Sequence, residues 1–144
     1  MNDDFIKEAN FSEIDLNDNF FDSLRKDYDG FDDWFNRKAS QSAVATIVKV
    51  DGNIKAFMYL KNEFEENANF IPYFYKKKRM KIGTFKIDSP GTIMGHRFIA
   101  YALRKFAFSD NEEVYVTTFS KQEKLINLLK NFGFEKYGIN GKTN

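Results

Sequence analysis

Residues Met80–Phe134 read MKIGTFKI, DSPGTIMGHRF, IAYALRKFAF, SDNEEVYVTTF and SKQEKLINLLKNFGF, and the order of these pieces decides the fold. They predict a strand, a turn bearing Gly91 and Gly95, an amphipathic helix, a second strand and a second amphipathic helix. In the first helix Met94, Phe98, Ala102 and Phe106 recur every four residues with Ile99 and Leu103 beside them, which defines one apolar face. In the second, Leu125, Ile126, Leu128, Leu129 and Phe132 form the apolar face between Lys121 and Phe132, and Gly133 stands where a helix-ending glycine belongs. A turn that leads from a strand into a helix aims free backbone N–H groups and the positive end of the helix dipole at one point. Such a point seats a phosphate or pyrophosphate.

The chain has 144 residues, a formal net charge of +1, 42% hydrophobic residues and no cysteine. That length reads as one domain, residues 1–144, with a sizeable core. Near-neutral charge gives no global attraction to nucleic acid or membrane surfaces, and no apolar run approaches the length of a membrane span. The acidic start, MNDDFIKEANFSEIDL, lacks the features of a secretion signal, so a cytoplasmic protein is expected. Without cysteine there is no disulfide, no thiolate metal site and no thiol nucleophile. The 17 phenylalanines and 7 tyrosines are mainly core material, with some left to line a ligand cleft.

Upstream of residue 80, Phe5–Leu16 alternate loosely and predict an edge-like strand. Asn17 or Asp18 then caps a helix carrying Phe20, Phe21, Leu24 and Tyr28, with Asp22 and Lys26 spaced for an ion pair. Gly30 ends it, and a second short helix with Phe31, Trp34 and Phe35 on one side runs towards Ala39. Ala43–Val50 and Ile54–Leu60 predict two strands joined by an Asp51-Gly52 hairpin turn. Lys61–Arg79 passes from acidic (Glu63, Glu65, Glu66) through aromatic (Phe70, Tyr73, Phe74, Tyr75) to basic (Lys76, Lys77, Lys78, Arg79), and reads as a long binding loop with a solvated basic rim. An RNA contact by that rim is a further reading. Gly83, inside the strand MKIGTFKI, suggests a bulge or a closely approaching backbone. Phe134–Ile139 opens a final strand before an Asn140-Gly141 turn. No strand follows, so the chain ends early or continues in a longer protein. The expected architecture is α/β (α+β): a mixed, mostly antiparallel sheet with one parallel splayed pair and helices on both faces.

This order of elements, with a glycine turn before the third helix and Gly133-Phe134 after the fourth, resembles the GNAT superfamily of acyl-CoA-dependent N-acyltransferases over nearly the whole chain. The family's pyrophosphate loop runs Arg or Gln, two residues, Gly, one residue, Gly or Ala; the matching positions here are Thr92, Gly95 and Arg97. Only Gly95 keeps the usual residue. The second family motif, a strand and a leucine-bearing helix ending in Gly-Phe, is VYVTTFSKQEKLINLLKNFGF. The resemblance implies acetyl-CoA as co-substrate, with no metal, and an amine acceptor that is a small molecule or a protein; it admits a homodimer. It assigns the pantetheine to the backbone of Phe85, Lys86 and Ile87, and the pyrophosphate to Thr92, Ile93, Met94, Gly95, His96, Arg97 and Phe98. Gln122 stands where relatives often carry a cofactor-binding asparagine.

The catalytic groups are not fixed. The tyrosine that serves many relatives as acid is replaced by Leu129, and the carboxylate that serves some as base on the third sheet strand has no counterpart in MKIGTFKI. Glu63, Glu65, Glu66, Asp32 and Asp33 are the candidate substitute bases, and Ser120 and Tyr137 the candidate donors on the thiol side, Ser120 being first of all an N-cap. His96 sits in the pyrophosphate turn and suits a phosphate contact better than base catalysis. Two functions follow: an N-acetyltransferase working by direct transfer, or a non-catalytic acyl-CoA-binding or interaction module of the same fold.

Overall fold

A computed structural model describes residues 6–88 and 92–140. Phe5, Gly91 and Gly141, which entered the expected first strand, glycine turn and last hairpin, lie outside the described residues. The strands are β1 (Ile6–Asn10), β2 (Val44–Val50), β3 (Asn53–Asn67), β4 (Phe70–Ile71), β5 (Phe74–Ile87), β6 (Glu113–Val116) and β7 (Ile139–Asn140). The helices are α1 (Asp22–Asp27), α2 (Phe31–Ser40), α3 (Ile93–Ala107) and α4 (Glu123–Asn131). One mixed sheet has the order β1-β2-β3-β5-β6, and β4 and β7 form a separate two-stranded ladder. The chain divides into two compact units, one comprising the chain up to Tyr59 with Thr84–Asp88, the other Leu60–Gly83 and the chain after Asp88.

In the first unit β1 pairs antiparallel with β2 from Ile6↔Val48 to Asn10↔Val44, and β2 returns antiparallel into β3 through Asp51-Gly52. Both turn residues have positive φ, 53° and 81°, as a tight hairpin of this kind demands. The first expected strand is therefore short: at Phe11 the chain enters a single 3-10 turn, Phe11–Glu13. Asp18 caps the next turn by accepting from the Phe20 N–H at 2.9 Å, and its other oxygen accepts from the Ile54 N–H at 3.2 Å. Phe20, Phe21 and Leu24 are buried as their spacing predicts, and Asp22 pairs with Arg25 at 3.0 Å rather than with Lys26. Phe11, Phe21, Phe31, Phe35 and Phe57 form an aromatic core, with Phe11 and Phe57 at 5.7 Å and 89° and Phe21 and Phe57 at 5.4 Å and 83°. α1 and α2 thus serve as core packing.

In the second unit the expected long loop does not exist. β3 runs on to Asn67, β4 follows, and β5 begins at Phe74, so Lys61–Arg79 is strand for most of its length. Its cations Lys77, Lys78 and Arg79 stand consecutively on β5, an interior strand, and their partners come from far along the chain. Lys77 meets Glu113 at 3.2 Å, Lys78 meets Asp110 at 2.6 Å, and Arg79 meets Glu113 at 2.9 Å. Arg79 is no solvated rim residue: it is 3% exposed, its guanidinium lies 3.6 Å from the centre of the Phe74 ring, and it donates to the Tyr75 carbonyl. The irregularity expected at Gly83 falls one residue on, at Thr84, whose φ is +46°. A β-branched residue in that region is strained.

α3 buries Gly95, Phe98, Ile99 and Ala102, and α4 buries Leu125, Leu128 and Leu129; the two helices pack together. Gly133 has φ +94°, the left-handed conformation that ends α4. Residues 134–138 form no strand; only Ile139–Asn140 pair, antiparallel with Phe70–Ile71. Gly138 permits this approach, because a Cβ there would stand 2.0 Å from the Ile71 carbonyl oxygen. No helix among the described residues is long and apolar enough to cross a membrane.

Candidate functional site

β5 and β6 pair in parallel from Arg79↔Glu113 to Ile82↔Val116, where the ladder stops. β6 is paired over its whole length, Glu113–Val116, and β5 continues beyond it to Ile87. α3 begins at Ile93. Thr92 is the N-cap, its hydroxyl accepting from the Gly95 N–H at 3.4 Å and its carbonyl from the His96 N–H at 3.2 Å. Helix geometry leaves the N–H groups of Ile93 and Met94 without intrahelical acceptors. The first turn carries no acidic side chain, so nothing there opposes an anion at the positive end of the dipole.

Around that turn Ile93 is 73% exposed, Gly95 is buried, and Met94 and Arg97 are half-buried. The His96 ring is set by Nδ1, 3.0 Å from the Thr92 carbonyl, and stands 5.8 Å from the Phe132 ring at the end of α4. A carbonyl only accepts, so Nδ1 carries the proton and donates. Phe98 is fully buried and lies past the free first turn, inside the helix ladder. Gln122 caps α4, and its side-chain oxygen accepts from the Phe119 N–H at 3.3 Å. Ser120, the expected N-cap, is exposed two residues earlier.

Phe85 and Ile87 are buried in the first unit, at the end of β5. Lys86 turns its ammonium to the Phe20 carbonyl and lies 4.3 Å over the Phe20 ring. Burial pushes this ammonium below the usual lysine value, although Asp88, Asp22, Asp27 and Asp18 pull the other way. The side chain is thereby committed, and what Lys86 offers a ligand is its backbone. It lines a polar cavity of about 540 Å³ with Asp15, Asp18, Lys55 and Asp88, which contains none of the residues of the Thr92 turn.

The candidate bases separate clearly. Asp32 is paired with Arg25 at 2.8 Å, and Asp33 and Glu65 are exposed. Glu66 hydrogen-bonds Tyr73, and Tyr137 donates to the Tyr73 carbonyl at 3.3 Å. Glu63 differs: its side chain is only 11% exposed, and it accepts the hydroxyl of Tyr115. Burial, then the Glu63 hydrogen bond, drive the Tyr115 phenol far up from its ordinary value, so it stays neutral and donates. Tyr115 was not singled out by the sequence, since its partner lies 52 residues away. Leu129, at the position of the family's acid, is a buried core residue.

No protein-family model matches the chain, and no curated protein matches it in sequence. Solved structures do. It is similar to the ribosomal-protein-alanine N-acetyltransferase of Brucella melitensis biovar Abortus 2308 (15% identity, 93% of this chain and 96% of that one, TM-score 0.63). It is similar to the aminoglycoside N-acetyltransferase AAC(6')-Iy solved with CoA (14% identity, 91% and 87%, TM-score 0.64). A transcriptional regulator from Bacillus halodurans C-125 also matches (10% identity, 92% and 93%, TM-score 0.61). The fold is the GNAT fold of the acetyltransferases. At these identities the likeness speaks for the fold, and activity has to be argued from the site.

Proposed function

We propose that this protein is an N-acetyltransferase that moves the acetyl group of acetyl-CoA directly to the amine of a small molecule or a protein. The observation that carries the reading is the start of α3: Thr92 caps it and no acid stands in its first turn, in a fold shared with an acetyltransferase solved with CoA. In this reading the N–H groups of Ile93 and Met94 hold the pyrophosphate, with Thr92, Gly95, His96 and Arg97 shaping the turn. The backbone of Phe85, Lys86 and Ile87 hydrogen-bonds the pantetheine amides as an added strand would, and Gln122 adds a polar contact. Transfer is direct because the chain has no cysteine to carry an acyl intermediate. The proposal needs no metal, and sets the enzyme in the cytoplasm.

A second reading, a non-catalytic acyl-CoA-binding module, is favoured by one observation: Leu129, where the family's acid stands, is 4% exposed and part of the core. Thiol release from acetyl-CoA, followed with spermidine, kanamycin and a short peptide with a free α-amine, separates the two. Turnover with any of them supports the transferase. Cofactor binding without thiol release from any amine leaves only the module.

A further inference from the structure

The sequence withholds a carboxylate from the strand where some relatives keep their base, yet the fold delivers one. β5 lies between β3 and β6 in the sheet. Tyr115 of β6 is the rung partner of Lys81, one rung before the ladder ends at Ile82↔Val116. Its hydroxyl is bonded to Glu63 of β3, so the contact crosses β5 and brings a carboxylate to the level of Lys81, beside the end of the ladder. The arrangement is stiff. The Tyr115 ring is wedged against Phe74 at 4.9 Å and Phe70 at 5.9 Å, while the other Glu63 oxygen faces Lys61 at 3.5 Å. That second oxygen is the one the Tyr115 hydroxyl does not occupy, and the half-exposed Lys61 ammonium is its ion-pair partner. A mostly buried carboxylate thus meets a neutral phenol one rung from the end of the β5–β6 ladder.

We infer that Glu63 is the general base of the transfer and that Tyr115 is the positioning residue that aims it; this rests on the acetyltransferase reading above. The Glu63 carboxylate removes a proton from the acceptor ammonium, directly or through one water. The neutral nitrogen attacks the thioester carbonyl; the C–N bond forms and the C–S bond breaks. The second amine proton passes to the departing thiolate, giving amide, CoA thiol and a protonated Glu63 that loses its proton to solvent.

The test uses the full chain, acetyl-CoA and whichever of spermidine, kanamycin or the α-amino peptide the native protein acetylates fastest. Glu63→Gln keeps the size of the side chain and an acceptor for Tyr115, and calorimetry with acetyl-CoA checks that it still folds and binds. The inference expects unchanged acetyl-CoA affinity and a kcat lower by about 10²–10⁴-fold. Glu63→Asp recovers part of the rate. Tyr115→Phe lowers kcat by about tenfold or more with the KM for acetyl-CoA unchanged. The deficit of Glu63→Gln shrinks as pH rises towards the acceptor amine's own pKa, about 8 for the peptide's α-amine and about 10 for an alkyl amine, where solution supplies the neutral amine. The charged groups around the pair, Lys61, Glu65, Arg79 and Lys81, are present in every variant, so they do not produce that convergence. A Glu63→Gln protein with a native rate, or a deficit constant with pH, overturns the inference and leaves the acetyltransferase reading intact. Absence of turnover by the native protein overturns both.

Discussion

Replacing Arg79 by alanine removes a guanidinium that the second unit has built around. Its side chain is 4% exposed; Nε is 2.9 Å from Glu113, Nη1 is 2.6 Å from the Tyr75 carbonyl, and the group stacks 3.6 Å from the centre of Phe74. Orphaning a buried charge costs about 3–5 kcal/mol, but the carboxylate left behind is 44% exposed and keeps Lys77 at 3.2 Å, which discounts that figure. What is lost outright is two charge-assisted hydrogen bonds, a cation–π contact of about 0.5–2 kcal/mol, and the volume under Phe74. We expect a loss of about 3 kcal/mol for Arg79→Ala, and a fall in Tm of about 6–12 °C for a chain of this size. Arg79→Met refills the volume without the charge and is expected to lose only about 1 kcal/mol, since apolar replacements of buried ion pairs are well tolerated. Urea denaturation followed by circular dichroism gives both numbers. An alanine variant within about 0.5 kcal/mol of native, the range of ordinary surface substitutions, refutes the placement of Arg79. A methionine variant as damaged as alanine refutes the division between packing and charge.

Three further outcomes follow from the same structure. Arg79, and after it Lys77, hold the Glu113 carboxyl below its ordinary value of 4.5 although burial opposes them. A depressed acid contributes stability that is full above the unfolded value and lost as pH falls through the folded one; stability measured below pH 4.5 therefore falls more steeply in the native protein than in Glu113→Gln. Phe57→Ala empties the centre of the Phe11, Phe21 and Phe35 cluster, and denaturation should report a loss of about 3–5 kcal/mol. Gly138→Ala drives a Cβ into the Ile71 carbonyl and to 2.6 Å from Pro72 Cδ; amide exchange should show Ile71 and Ile139 losing protection together, at a global cost of about 1–3 kcal/mol.

What was legible in the sequence was local. The Asp51-Gly52 turn, the apolar stripe of α3 and the glycine that ends α4 are each fixed by a few neighbouring residues, and each forms where its pattern puts it. The misreading of Lys61–Arg79 has a physical source: a strand whose charged side chains find partners 32 to 36 residues away looks, residue by residue, like a solvated loop. The site divides the same way. The Thr92 cap and the His96 tie to its carbonyl span three and four residues, within reach of a sequence pattern. The Glu63–Tyr115 contact spans 52 residues and crosses a strand between them, and no period in the sequence announces it. Ser120 looked like a cap by residue type, but α4 starts after Gln122, whose side chain makes no bond to the helix and accepts instead from the Phe119 N–H.

Isothermal titration of the protein with acetyl-CoA tests the central claim most directly. One-to-one binding is predicted, weakened by Thr92→Pro, which disturbs the helix start without touching the core. Titration to about millimolar acetyl-CoA without saturable heat at two temperatures would mean an affinity no better than about −4 kcal/mol, and would contradict the account.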